Sequence, residues 1–213
     1  FGYSPLRTGV AFLPMIGALV VTAPLAGQRL LHRLGTRGTL PLGIAIEAAA
    51  FVLLSRIGPD SSYAGAVVPG IMVLGVGIGF VMPVTFNSGT RGAPVSHIGL
   101  ASAVITVSQQ IGASLSVALL ATYASRHVST YVEDHAEQTR AQAMSALSQA
   151  QATPDSDAGQ AIVARLTAEL ADRAQISAYS GGFLLMACIL AAVAALLAAL
   201  AGAAVVLRAR RRA

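Results

Sequence analysis

The chain has 213 residues, of which 55% are hydrophobic and only 11% charged, with a mean hydropathy of +0.69 and a net charge of +5. A soluble domain of ordinary composition carries about twice that charged fraction, so composition excludes a soluble globular protein. All 14 basic residues are arginine, and they flank apolar runs instead of covering a soluble face, which excludes nucleic acid as a partner and suits membrane topology.

The apolar runs are about 17 to 29 residues long, enough to cross about 30 Å of hydrocarbon as helices. Alanine and leucine dominate them, without the alternation a membrane β-strand needs. The expected fold is therefore all-α and integral to the membrane. The first span runs from about Gly9 to Ala26 and holds Pro14 and Pro24. The second runs from about Thr39 to Ser55, the third from about Tyr63 to Phe86 and the fourth from about Ile98 to Tyr123. The last extends from about Tyr179 to Leu207. Proline and glycine inside such spans are compatible with membrane helices.

The connections set the orientation. Arg29, Arg33 and Arg37 lie between the first two spans, Arg91 between the third and fourth, and Arg208, Arg210, Arg211 and Arg212 after the last. The opposite side has Arg7, Arg56, Arg126 and Arg173 near the membrane. This bias places the C-terminus in the cytoplasm of a multi-pass plasma-membrane protein and Phe1 outside. The chain opens on Phe1 without an initiator methionine and reads as a piece of a longer protein.

Between the fourth and fifth spans lies a segment of another character. It holds seven of the nine acidic residues: Glu133, Asp134, Glu137, Asp155, Asp157, Glu169 and Asp172. Residues 127–150 and 158–176 read as helices, separated at Thr153-Pro154, with Asp155 or Asp157 as an N-cap. The expected organisation is four transmembrane helices over 1–125, an extracytoplasmic helical loop over 126–177, and a final transmembrane helix with an arginine-rich tail over 178–213. A solvated hairpin joining two spans is the plain reading of that loop, and docking or gating the alternative.

Glu47 is the sharpest single signal, lying mid-span in Leu42-Gly43-Ile44-Ala45-Ile46-Glu47-Ala48-Ala49-Ala50-Phe51. An ionised carboxylate at that depth costs several kcal/mol unless it is paired, hydrated or protonated. That property suits proton coupling or the binding of a cation, and a neutral carboxyl bonded to a neighbouring helix is the structural alternative. In the fourth span Ser102, Thr106, Gln109 and Gln110 recur at three- or four-residue spacing as one polar stripe. The stripe is expected to face a cavity or another helix, as substrate contacts or as interhelical hydrogen-bonding groups. Gly75, Gly77 and Gly79, followed by Pro83, lie inside an apolar span and read as helix packing with a proline bend, not as a dinucleotide loop. Asn87 marks the cytoplasmic mouth. His32, His97, His127 and His135 make no metal cluster, Cys188 reads as a small apolar residue, and no catalytic site or cofactor is expected.

Four stretches together resemble the fourteen-helix drug:proton antiporters of the major facilitator superfamily, the EmrB/QacA type. They are Tyr3-Ser4-Pro5-Leu6-Arg7-Thr8-Gly9 through Pro14; Ala23-Pro24-Leu25-Ala26-Gly27 leading into Arg33-Leu34-Gly35-Thr36-Arg37; Gly75 to Pro83; and Gly99-Leu100-Ala101-Ser102-Ala103 with Ser108-Gln109-Gln110-Ile111-Gly112. The resemblance covers about Phe1 to Tyr123 and the final span. It implies that the five spans are the last helices of a C-terminal bundle, packed against an N-terminal half of the same transporter and working by alternating access. It also implies a gating loop at Arg33, Gly35 and Arg37, with Arg33, Arg37 and Arg91 as cytoplasmic gate or lipid-facing charges. His32 stands where that loop has an acid in the family, so the charge relay is altered. The implied function is proton-coupled efflux of small hydrophobic or cationic molecules, as in antibiotic resistance, with protons and membrane lipid as partners. Export of one specific metabolite and a non-transporting membrane scaffold are the alternatives.

Overall fold

A computed structural model describes residues 3–59 and 61–210, with side-chain environments for all of these but 28 and 204–210. Phe1, expected outside, and Arg211 and Arg212 of the arginine tail lie outside the described residues. The regular structure of the described residues is all helical, without a strand. Five helices, Pro5–Leu25, Leu31–Leu54, Tyr63–Thr90, Val95–Gln149 and Asp157–Ala203, are long and apolar enough to cross a membrane.

The first span consists of two helices, α1 (Pro5–Ala11) and α2 (Leu13–Leu25), meeting at Phe12. The start is fixed locally: Ser4 Oγ accepts the Arg7 amide at 3.4 Å, and Pro5 occupies the first turn, where its missing N–H is no loss. Near the end of α2, Pro24 removes one ladder donor, and the next residues, Ala26–Leu30, widen into a π turn.

The chain then departs from the expected loop between the first two spans. Helix α3 runs Leu31–Leu54, broken at Gly35 alone, whose φ of 62° and ψ of 177° belong to a region open essentially only to glycine. Helical turns flank it on both sides because one residue absorbs the whole change of direction. Thr39, fully buried, donates its hydroxyl to the Gly35 carbonyl at 2.9 Å, satisfying an acceptor at the break.

After a turn capped by Ser62, a π turn at Tyr63–Val67 leads into α4 (Val68–Thr90). The Tyr63 hydroxyl donates to the Ala11 carbonyl, tying the entry of the third span to the end of α1. The third span is therefore one turn longer than Tyr63–Phe86, and Asn87 lies in the last turn, where its carbonyl accepts the Arg91 amide at 3.1 Å. A 3-10 turn at Val95–His97 then starts α5 (Ile98–Gln149), and α6 is Asp157–Arg210.

Two compact units emerge: residues 1–114 with 183–213, and residues 115–182. In the first, α4 packs against both α2 and α3, and the buried side chains concentrate on α3 and α4: Thr39, Ile44, Ala48, Ala50, Leu54, Ile71 and Val84. The latter part of α6 lies along α3, with Phe51 and Phe183 ring centroids 6.0 Å apart.

The second unit is an antiparallel pair drawn from α5 and α6. Leu120 meets Gly182, Tyr123 meets Gly181, His127 Nε2 lies 3.1 Å from Ser177 Oγ, and Leu147 packs near Gly159. Helices α5 and α6 run unbroken through positions 126 and 177. The reason is local: around Tyr123–Val132 and Leu170–Ser180 polarity changes, but no glycine or proline interrupts the backbone ladder. The turn between the helices is capped by Ser156, whose Oγ accepts the Gly159 amide at 3.1 Å, instead of by Asp155 or Asp157. Asp157 is the acid of the first turn, where the helix dipole favours negative charge.

Candidate functional site

The glycine-rich run of α4 is used on two opposite faces. A Cβ at Gly75 would meet the Met15 carbonyl and lie 3.2 Å from the Ala18 side chain, and one at Gly79 would meet Thr22 Oγ1 and lie 3.1 Å from the Leu19 carbonyl. Both positions therefore let α2 approach backbone to backbone. A Cβ at Gly77 would lie 2.5 Å from Glu47 Cγ and 3.2 Å from the Gly43 carbonyl. Two residues along a helix turn about 200°, so alternate glycines address the two neighbours in turn. Close approach through small residues is the dominant way helices associate in lipid, where apolar burial itself gains little.

This packing defines the surroundings of Glu47. The side chain is half-buried, and its stem crosses the bare backbone of Gly77 in the α3–α4 contact. Gly43, one turn earlier on α3, makes the reciprocal contact: a Cβ there would sit 2.9 Å from Phe80 Cβ and from Val81 Cγ2. The Gly77 notch is what admits a side chain as long as glutamate between two closely packed helices. Among the described residues no basic group pairs with Glu47; the two ion pairs present are Arg140–Glu137 and Arg173–Glu169, both within the 115–182 unit. Glu47 and Asp60 are the only acids before Glu133 in the sequence, and Glu47 lies within the Leu31–Leu54 span.

Of the polar stripe on α5, Ser102 is half-buried and Thr106, Gln109 and Gln110 are exposed. Thr106 Oγ1 donates to the Ser102 carbonyl at 3.0 Å, satisfying its own hydroxyl along the helix. The side chain of the same helix that reaches α4 is Ile105, 2.6 Å from where a Cβ at Gly89 would stand. The apolar residues around the stripe are exposed as well, with Val104, Val107 and Ile111 each more than half accessible. Among the described residues no helix covers this part of α5, and none brings the stripe to Glu47.

At the other end of the same helices, Arg33 and Arg37 are exposed on either side of the Gly35 break, and Arg91 is exposed just past α4. The Thr36 and Ser88 hydroxyls lie 3.0 Å apart, joining α3 to α4 immediately beside the break. That link went unforeseen because both residues look like ordinary loop-end polar groups in the sequence. Pro83 packs toward the π turn, 3.8 Å from a Cβ placed on Gly27. Cys188 is exposed. Among the described residues no three of His, Cys, Asp and Glu come together as a metal cluster.

Residues 1–117 match the model of the Major Facilitator Superfamily. The chain is 38% identical over 136 residues to puromycin resistance protein pur8 of Streptomyces alboniger, covering 62% of this chain and 27% of that protein. It is 33% identical over 119 residues to the tetracenomycin C resistance and export protein of Streptomyces glaucescens, covering 56% of this chain and 22% of the relative. It is 25% identical over 136 residues to multidrug resistance protein Stp of Mycobacterium tuberculosis, covering 64% and 25%. The chain spans about a quarter of the length of these relatives. The family match covers more than half of the chain and includes α1 to α4, the Gly35 break and the Gly75–Gly79 run, so this protein belongs to the Major Facilitator Superfamily.

Proposed function

We propose that this chain is the C-terminal part of a proton-coupled exporter of the fourteen-helix drug:proton antiporter type, moving small hydrophobic or cationic molecules out across the plasma membrane. The observation that carries the reading is Glu47, a carboxyl within a membrane span, lodged between α3 and α4 over Gly77 without a basic partner among the described residues. A carboxyl so placed is tolerated when it is protonated, hydrated or bound to a cation, and alternation among those states is what coupling proton entry to export requires. The stripe Ser102, Thr106, Gln109 and Gln110 would line the cavity shared with an N-terminal half, which accounts for its exposure here. Arg33, Gly35, Arg37 and Arg91 would form the cytoplasmic gate, and Gly75, Gly77 and Gly79 would keep the bundle rigid as it rocks. The names of the relatives, which include resistance and export proteins, support efflux as the activity. The arginine bias of the connections supports a cytoplasmic C-terminus.

Several relatives are named for a single antibiotic, puromycin and tetracenomycin C among them, which favours export of one specific metabolite as the second reading. Efflux of ethidium from cells expressing the complete reading frame, with and without Glu47→Gln, tests the first. Efflux that stops both with an uncoupler and with the substitution is expected, with at least a tenfold fall in rate. Uncoupler-sensitive efflux unaffected by Glu47→Gln would return Glu47 to a packing role. No efflux of ethidium alongside uncoupler-sensitive export of one antibiotic would establish the narrower exporter.

A further inference from the structure

On α3, residues 43, 47 and 54 fall on the face turned to α4. Residues 37, 41, 45 and 48 fall on the opposite face, because the helix repeats every 3.6 residues. That second face forms, with the last part of α6, two adjoining grooves that share Pro41. One, of about 320 Å3, is lined by Thr36, Arg37, Leu40, Pro41, Leu197 and Leu200. The other, of about 430 Å3, continues along Pro41, Ala45 and Ala48 against Ala191, Ala194 and Ala198. The alanines keep the furrow open: they bring α6 close while leaving no long side chain to fill it. Apart from Thr36 beside its mouth its lining is apolar, and it ends at one cation.

We infer that this furrow binds an anionic glycerophospholipid, with the phosphate at the Arg37 guanidinium and an acyl chain laid along Pro41, Ala45, Ala48 and the alanines of α6. Three observations carry it. Arg37 is exposed at the mouth, and among the described residues no carboxylate lies within 4 Å of it. The segment from Gly27 to Thr39 holds Arg29, His32, Arg33 and Arg37 and no acid, so the positive field there has no internal counter-charge. The Thr36–Ser88 contact, 3.0 Å between hydroxyls, anchors the turn that presents Arg37.

The energetics favour charge over grease as the discriminator. An acyl chain leaving the bilayer for the furrow exchanges one apolar setting for another and gains little, so shape fixes where the chain lies and Arg37 decides which headgroup stays. One basic residue near a membrane surface is worth about 1 kcal/mol toward an anionic lipid, or about fivefold in affinity. The inference rests on the membrane-spanning arrangement and is independent of proton coupling, because its readout is lipid retention and not transport.

Native mass spectrometry of the protein expressed from its complete reading frame tests it, with phosphatidylglycerol and phosphatidylcholine of identical chains as probes. The expected result is one saturable site retaining phosphatidylglycerol about fivefold better than phosphatidylcholine. Arg37→Gln should abolish that preference and Arg37→Lys largely keep it. Arg91→Gln, which removes an arginine outside the furrow, should leave it in place. Ala198→Phe, which fills the furrow at an exposed position without changing charge, should weaken both lipids alike. Equal retention of the two lipids by the unchanged protein would overturn the proposal. So would an equal loss with Arg91→Gln and Arg37→Gln, which would mean diffuse surface attraction. Retention unaffected by Ala198→Phe would overturn the furrow as the seat of the chain.

Discussion

The α2–α3–α4 packing and the α5–α6 pairing of residues 115–182 are both helix-on-helix contacts, yet they are built from different material. In the first, backbone meets backbone: Gly75 faces the Met15 carbonyl, Gly79 faces Thr22 and the Leu19 carbonyl, and Gly77 faces the stem of Glu47 and the Gly43 carbonyl. In the second, side-chain ends meet: the Tyr123 hydroxyl lies over Gly181, Leu120 Cδ1 over Gly182, and His127 opposite Ser177. The buried side chains of the second unit come down to Leu147, Ala174 and Ala178, while Met144 stays 63% exposed. Two physical regimes explain the contrast. Helices in lipid gain little by hiding apolar surface, so they associate by fit and by interhelical hydrogen bonds, which favours glycine. A pair carrying seven of the nine acids is suited to water, where apolar side chains gain by meeting and long polar ones remain solvated.

The sharpest way to break this contrast is to put bulk into the glycine contact. Gly75→Leu pushes a side chain into the Met15 backbone, which has no rotamer by which to move aside, and roughly 3 kcal/mol or more of destabilisation is expected from overpacking. The readout is the melting temperature of the detergent-purified protein, together with the amount that reaches the membrane; an unchanged value of both would mean that α2 and α4 are not in contact. Gly35→Ala should come next. Its φ of 62° with ψ of 177° is costly to any residue with a Cβ, by about 1–3 kcal/mol. The same melting experiment, with an efflux assay beside it, should show a loss smaller than for Gly75→Leu but clear of error.

The hairpin variants should do much less, and that difference sharpens the comparison. Gly181→Ala places a Cβ 2.5 Å from the Tyr123 hydroxyl, which sits at the end of a ring that can swing. The small repacking loss is offset by the gain of about 0.5–1 kcal/mol for replacing glycine by alanine within a helix. Stability is expected to change by under 1 kcal/mol; a collapse on the scale of Gly75→Leu would show that the two contacts are alike after all. Arg173→Gln should have the smallest effect. Its 2.7 Å pair with Glu169 is about half exposed on both sides, and solvated pairs of this spacing contribute a few tenths of a kcal/mol. Melting curves indistinguishable from the unchanged protein are expected, at low and at high salt.

The legibility of the sequence follows the same division. The spans of α2 to α4 were visible as apolar runs, because hydrophobic length is a local property. Glu47 stood out because a carboxylate within such a run is costly wherever the neighbours lie. The Gly35 break was legible as a glycine among arginines and not as a conformation: the sequence suggested a loop, and the chain instead keeps helical turns on both sides of a single non-helical residue. The acidic segment was legible as polar and helical, but its ends were not. The fall in hydropathy at Arg126 is a change of polarity, whereas ending a helix needs a residue that breaks the ladder, and none is present there.

Sequence by itself determined that this is a helical membrane chain, how many apolar runs are long enough to span, and that one of those runs holds Glu47, because transfer from water to lipid is additive along the chain and needs no knowledge of partners. Tertiary structure alone decided which helix each glycine of Gly75–Gly79 addresses, that Glu47 crosses Gly77, that Thr36 meets Ser88 from 52 positions away, and that Arg37 ends an alanine-lined furrow between α3 and α6. Those facts depend on rotation and crossing of helices far apart in the chain. Rotation is set by the best mutual fit of surfaces, and no single helix's residues specify it.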